Sequence, residues 1–158
     1  MSTHTRRHTF TVLALLAALL ATPATAHQIN AKDLEIKHPY TVEPSGPAAQ
    51  DAAVYMVIRN NGTVSDKLIA ARSPFAAFVS IEAKDRPAAS PVGIDIPAHA
   101  ETVIGPKTIF LLLHGLTDSL EGYQYIPMTL VFEQTGVVEI EVYVQDASEI
   151  SATAPKSK

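Results

Sequence analysis

Chemistry in this chain must come from a short inventory: there is no cysteine, so thiolate metal sites, disulfides, CxxC redox chemistry and a cysteine nucleophile are excluded together. What remains to bind a metal is imidazole, thioether and carboxylate. Beyond the first 26 residues stand four histidines (His27, His38, His99, His114) and two methionines (Met56, Met128). Such groups suit copper or zinc, with nitrogen and oxygen donors favouring Cu(II) or Zn(II) and thioethers favouring Cu(I). Catalytic signatures are missing: no Gly-x-Ser-x-Gly, no HExxH and no glycine-rich phosphate loop occurs, so the reading is of a protein that is not an enzyme. Glu139 and Glu141 form a carboxylate pair, but they alternate with Val138, Ile140 and Val142 and so belong to the solvated face of a strand.

The histidines differ in what their settings allow. His27 follows Ala24-Thr25-Ala26, a small-x-small cleavage pattern after Arg6-Arg7 and the apolar run from Phe10 to Ala21. Residues 1–26 therefore read as a cleavable export signal, and the apolar run of about a dozen residues falls short of the roughly 20 that a spanning helix needs. The general secretory and twin-arginine routes both stay open, and a periplasmic location follows. Cleavage there would make His27 the first residue, whose free amine and imidazole together can chelate Cu(II); the other reading is an ordinary frayed terminus. His38 precedes Pro39, and His99 reads as a solvated turn residue. His114 shares a strand face with Phe110 and Leu112, as a ligand or as a half-buried histidine satisfied by backbone or water. Met56 and Met128 alternate with apolar neighbours and belong to the core.

Positioning these residues falls to strands. Val54, Met56 and Ile58 alternate with Tyr55 and Arg59, and Val138 to Val144 alternate with Glu139, Glu141 and Tyr143. Weaker alternation covers Leu34 to Lys37, Lys67 to Ala71, Phe78 to Lys84, Val92 to Ile96, Glu101 to Ile104, Thr108 to His114 and Pro127 to Glu133. Turn signals recur about every ten residues, and Asn61-Gly62 reads as a hairpin turn. That spacing predicts one all-β domain, a sandwich or barrel from about Ala31 to Val144. In full, residues 1–26 are the signal, 27–147 the domain and 148–158 a small, polar tail. The 158 residues leave no room for a second ordinary domain. Net charge is −4; the signal carries two Arg and no carboxylate, so the remainder has ten basic against sixteen acidic groups, net −6. No basic footprint for nucleic acid exists.

Asp33-Leu34-Glu35-Ile36 with His38-Pro39-Tyr40, the run from Asp51 to Pro74, Gly93 to Ala98, Leu113-His114-Gly115-Leu116 and the pair Ile126 to Phe132 and Gly136 to Val144 occur in an order that resembles the periplasmic copper chaperones called PCu(A)C. The resemblance implies an all-β, cupredoxin-like antiparallel Greek-key β-sandwich. It also implies a copper carrier that aids delivery to cytochrome oxidase or exchanges with another copper chaperone, using Cu(I) held by a His-x-Met pair and by His and Met of an earlier hairpin. At the matching positions this chain has Phe110 for that His, Leu112 for that Met and Glu82 for the earlier His, with Lys84 near the earlier Met and no methionine from Asp85 to Val92. Glu82 could join His114 if their strands adjoin as in the family, which together with His27 gives the metal candidates His114, His27 and Glu82. The expectation is an exported metal carrier with an altered site, suited to Cu(II) or Zn(II) more than Cu(I). The alternative is a metal-free binding module of the same fold that engages a protein partner through the Phe110 and Leu112 face.

Overall fold

The structure is a computed structural model that describes residues 28–44, 49–84 and 93–148. His27, the export segment, the stretch 85–92 and the tail beyond 148 lie outside the described residues. Ten strands follow in chain order: β1 Gln28–Ala31, β2 Leu34–Val42, β3 Ala52–Asn60, β4 Asp66–Arg72, β5 Ala76–Ala83, β6 Ile94–Ile96, β7 Glu101–Ile104, β8 Ile109–Leu116, β9 Tyr125–Phe132 and β10 Gly136–Gln145. They form a continuous path in the order β5-β8-β3-β2-β10-β9-β4-β6, with β1 added beside β2 and β7 beside β3. Pairing among the described strands is antiparallel except at β10 and β2, where Tyr143 to Gln145 run parallel to Tyr40 to Val42. The expected all-β, cupredoxin-like architecture is what the chain adopts. No helix among the described residues is long and apolar enough to cross a membrane.

One hydrophobic cluster fills the interior because the strands keep period-two alternation. Ile36, Val54, Ile58, Leu111, Leu113, Ile126, Leu130, Val142 and Val144 are buried, and Met56 and Met128 sit among them as core residues. Burying each such aliphatic side chain contributes about 1.5–3 kcal/mol, which holds the strands in the one register that keeps every apolar side inward. Glu139 and Glu141 point the other way and are exposed.

Three local features depart from the sequence reading. The first strand begins at Gln28, earlier than Ala31, because β1 is four residues whose ladder with β2 stabilises it more than its own alternation. The second strand does not end at Lys37. It continues through His38-Pro39 by a bulge: Lys37 pairs with Val57 and Tyr40 with Tyr55, three steps against two. His38 absorbs the extra residue at φ 48°, exposed and structural, while Pro39 is buried. The bulge returns Tyr40 to the outer face beside Tyr55 and sends Thr41 inward, where its hydroxyl donates to Ala53 O at 2.8 Å. Finally, Asn61-Gly62 does not close a hairpin, since β3 and β4 share no ladder. The buried Asn60 side chain builds that crossing, donating to Val64 O and Ile96 O and accepting from Gly62 N. His99 is an exposed turn residue, as its loop composition implied.

Candidate metal centre

The candidate centre lies on the outer face of β8 and β5. Leu111 and Leu113 fill the core, so alternation turns Phe110, Leu112 and His114 outward. Across the ladder, Phe78 pairs with His114, Ser80 with Leu112 and Glu82 with Phe110. The two strands therefore adjoin, and Glu82 and His114 share one face. Phe110 and Leu112 are half-buried, and Phe110 meets the edge of Tyr55 with ring centroids 6.4 Å apart. Burial first, and the neighbouring Tyr40 second, raise the Tyr55 phenol above its ordinary pKa. Lys84 is exposed just past the end of β5.

His114 is held from every side. Its ring stacks on Phe78 with centroids 4.4 Å apart and planes 15° from parallel. Its Nε2 lies 2.8 Å from Ser80 Oγ, and the same hydroxyl donates to Glu82 Oε1 at 2.7 Å. On the other side Nδ1 lies 3.6 Å from Asp51 Oδ2, the histidine side chain being 24% exposed. Asp51 is positioned in turn by Gly115, whose N–H donates to Oδ1 at 3.0 Å. Ala52 pairs with Leu113, so the register of β3 on β8 carries Asp51 to His114 across 63 residues of chain. Glu82 thus reaches His114 through Ser80, and Asp51 and Ser80 are the residues that sequence reasoning missed. Asp51 has no local signal, being a loop residue one step before a strand.

Asp51, His114 and Ser80 stand in the order of a nucleophilic triad, but the hydroxyl's single proton goes to Glu82. A carboxylate only accepts, so Ser80 cannot also give that proton to His114 as a general base. Among the described residues no group of three or more His, Asp or Glu side chains is close enough to enclose a metal ion. The array is an oriented imidazole with one carboxylate 3.6 Å from its Nδ1.

Gly115 sits at φ 60°, and a Cβ there would lie 3.3 Å from the Ala77 Cβ. Gly115→Ala is expected to cost about 1–2 kcal/mol in thermal or urea unfolding, since an L residue pays that in the left-handed region. An unchanged midpoint would show that the end of β8 relaxes.

Together these features define a small β-sandwich domain with a half-exposed, doubly held histidine on its surface. The sequence matches the LpqE-like lipoprotein family over residues 34–144, and the chain belongs to that family. No curated protein matches it. Among solved structures it is similar to the apo PCuAC domain from PmoF1, with 26% identity over 76% of this chain and 99% of that one, at a TM-score of 0.71. The copper-bound PCuAC domain from PmoF2 shares the fold at 24% identity, covering 76% and 98% of the two chains with a TM-score of 0.68. The CuI form of DR1885 from Deinococcus radiodurans shares it at 19% identity, covering 77% and 83%, with a TM-score of 0.59. The resemblance to PCu(A)C proteins read from the sequence segments is therefore upheld at the level of family and fold.

Proposed function

We propose that this protein is an exported metal carrier of the copper-chaperone type whose site is built around His114. The observation that carries this reading is the setting of that imidazole. It is partly exposed, hydrogen-bonded through Nε2 to Ser80 with Asp51 Oδ2 3.6 Å from Nδ1, and stands on the strand pair to which the PCu(A)C resemblance assigns metal ligands. Glu82 acts at the same site, and His27, once freed by cleavage, supplies an amine and an imidazole from the chain's start. Nitrogen and oxygen donors without thioether or thiolate select Cu(II) or Zn(II) over Cu(I). The periplasm is the place of action, and the recipient is a copper protein such as cytochrome oxidase or another copper chaperone. A catalytic step is no part of this function.

Titration of the processed protein with Cu(II), Zn(II) and Cu(I) against competing chelators tests the reading. A dissociation constant at or below about micromolar, roughly 8 kcal/mol, is expected for Cu(II). His114→Ala is expected to weaken it at least tenfold, and a residue added before His27 should weaken it separately. Absence of copper binding in either oxidation state would overturn the carrier. A second reading, a metal-free module that docks a protein partner, would then stand, favoured by Phe78, 59% exposed on the outer face that also carries Phe110 and Leu112.

A further inference from the structure

We infer that the carrier's ion is held between His114 Nδ1 and the Asp51 carboxylate, with Ser80 and Glu82 acting as positioning residues behind the ring. This inference rests on the carrier reading and names the ligand atoms within it. The argument starts from one proton. Ser80 has a single hydroxyl hydrogen, and Glu82, 2.7 Å away, can only accept it. Ser80 Oγ must then accept at its other contact, so the hydrogen between it and His114 belongs to Nε2. In the neutral imidazole that choice leaves the lone pair on Nδ1, which faces Asp51 Oδ2 at 3.6 Å. Two electron-pair donors held 3.6 Å apart favour a cation between them. Their separation exceeds that of a hydrogen bond and matches the roughly 3.3–3.6 Å between two ligands that are each about 2.0–2.2 Å from a tetrahedral Zn(II) ion.

The support behind both donors is of the kind that ligands require. A metal-bound histidine almost always donates its other ring N–H to a carboxylate, a backbone carbonyl or water, which fixes the tautomer and raises the basicity of the ligating nitrogen; a hydroxyl that is itself bonded to a carboxylate serves the same purpose. Here that chain runs from Nε2 through Ser80 to Glu82. Asp51 is fixed equally, because Gly115 N–H occupies Oδ1 and leaves Oδ2 for the ion. Phe78, stacked on the ring, opposes its rotation out of line. Two protein ligands leave the remaining positions for water or for a recipient's side chain, which suits an ion that must be handed on.

The test combines a tautomer measurement with ion binding, using the processed chain. Long-range 15N–1H correlation spectra, recorded without metal above the ordinary imidazole range, are expected to place the His114 proton on Nε2. Zn(II) should then shift Nδ1 and leave Nε2 protonated. Asp51→Asn keeps an oxygen for Gly115 and so preserves the fold, checked by its unfolding midpoint; it is expected to weaken Zn(II) and Cu(II) at least tenfold. Ser80→Ala should weaken both metals about tenfold and let the two tautomers mix, a spectral change that loss of packing alone would not produce. A proton on Nδ1, a metal-bound Nε2, or undiminished binding in Asp51→Asn would each overturn this ligand assignment while leaving the carrier intact. Failure of the wild-type chain to bind copper in either oxidation state would overturn the carrier itself, and this assignment with it.

Discussion

The triple substitution Glu82→His, Phe110→His and Leu112→Met is expected to raise Cu(I) affinity at least 100-fold, about 2.7 kcal/mol. Three observations set that expectation. Glu82 is the direct ladder partner of Phe110, so imidazoles at the two positions would start from adjacent backbone. Leu112 is two residues along on the same outward face and half-buried, where a thioether replaces an isobutyl group of similar volume. Imidazole and thioether together are the donors that Cu(I) prefers, whereas the natural residues at these places offer only a hard carboxylate and two hydrocarbons. The counterweight is modest: losing the edge contact of Phe110 on Tyr55 removes an aromatic pair worth about 0.5–1.5 kcal/mol. Competition with a Cu(I)-specific colorimetric chelator measures the gain. If the triple variant binds Cu(I) no better than the natural chain, the matching of these positions to the PCu(A)C ligands is wrong, whatever the fold.

The second large effect concerns stability. Asp66 opens β4 and is 7% exposed, and its carboxylate accepts from three backbone N–H groups: Lys67 at 2.7 Å, Gln134 at 2.8 Å and Thr135 at 2.9 Å. Gln134 and Thr135 form the turn between β9 and β10, so one side chain ties that hairpin to the neighbouring strand. Asp66→Ala would strip acceptors from these donors, and with charged hydrogen bonds worth about 1.5–3 kcal/mol each and not additive, a loss of roughly 3 kcal/mol is expected. Urea unfolding at neutral pH measures it. Burial alone would push the Asp66 pKa up, but the backbone N–H of Gln134, the Thr135 side chain and the backbone N–H groups of Lys67 and Thr135 together outweigh it and hold the carboxyl below the ordinary 3.8. A lowered folded value means that this stabilisation is complete above the ordinary aspartate range and is lost as pH falls through the folded pKa. Wild type and Asp66→Asn should therefore differ at neutral pH and converge in strong acid. A constant gap down to about pH 2 would remove Asp66 as the source.

Much of the architecture is legible because it is local. Alternation at Val54 to Ile58 and Val138 to Val144 marks strands from their own residues, and the same rule puts Phe110, Leu112 and His114 on one face before any partner strand is known. The lack of cysteine likewise limits the chemistry without reference to the fold. Where backbone geometry breaks the pattern, reading fails: the alternation stops at Lys37, yet a bulge at His38 carries β2 on to Val42. Asn61-Gly62 suggests a hairpin, yet the Asn60 side chain directs the chain to another part of the sheet.

What surrounds His114 was decided by tertiary structure. Asp51 arrives beside it only because Ala52 pairs with Leu113, and Ser80 with Glu82 only because β5 pairs with β8. Strand pattern states which side a residue faces, but register between distant strands is chosen by the packing of the whole core, where a slip of one residue would turn each apolar side chain outward. The sequence by itself thus determined that this is an all-β chain with a histidine on an outer face and no soft sulfur ligands beside it. The tertiary structure decided which oxygens meet that histidine, because only the register set by the shared core brings residues 51, 80, 82 and 114 together.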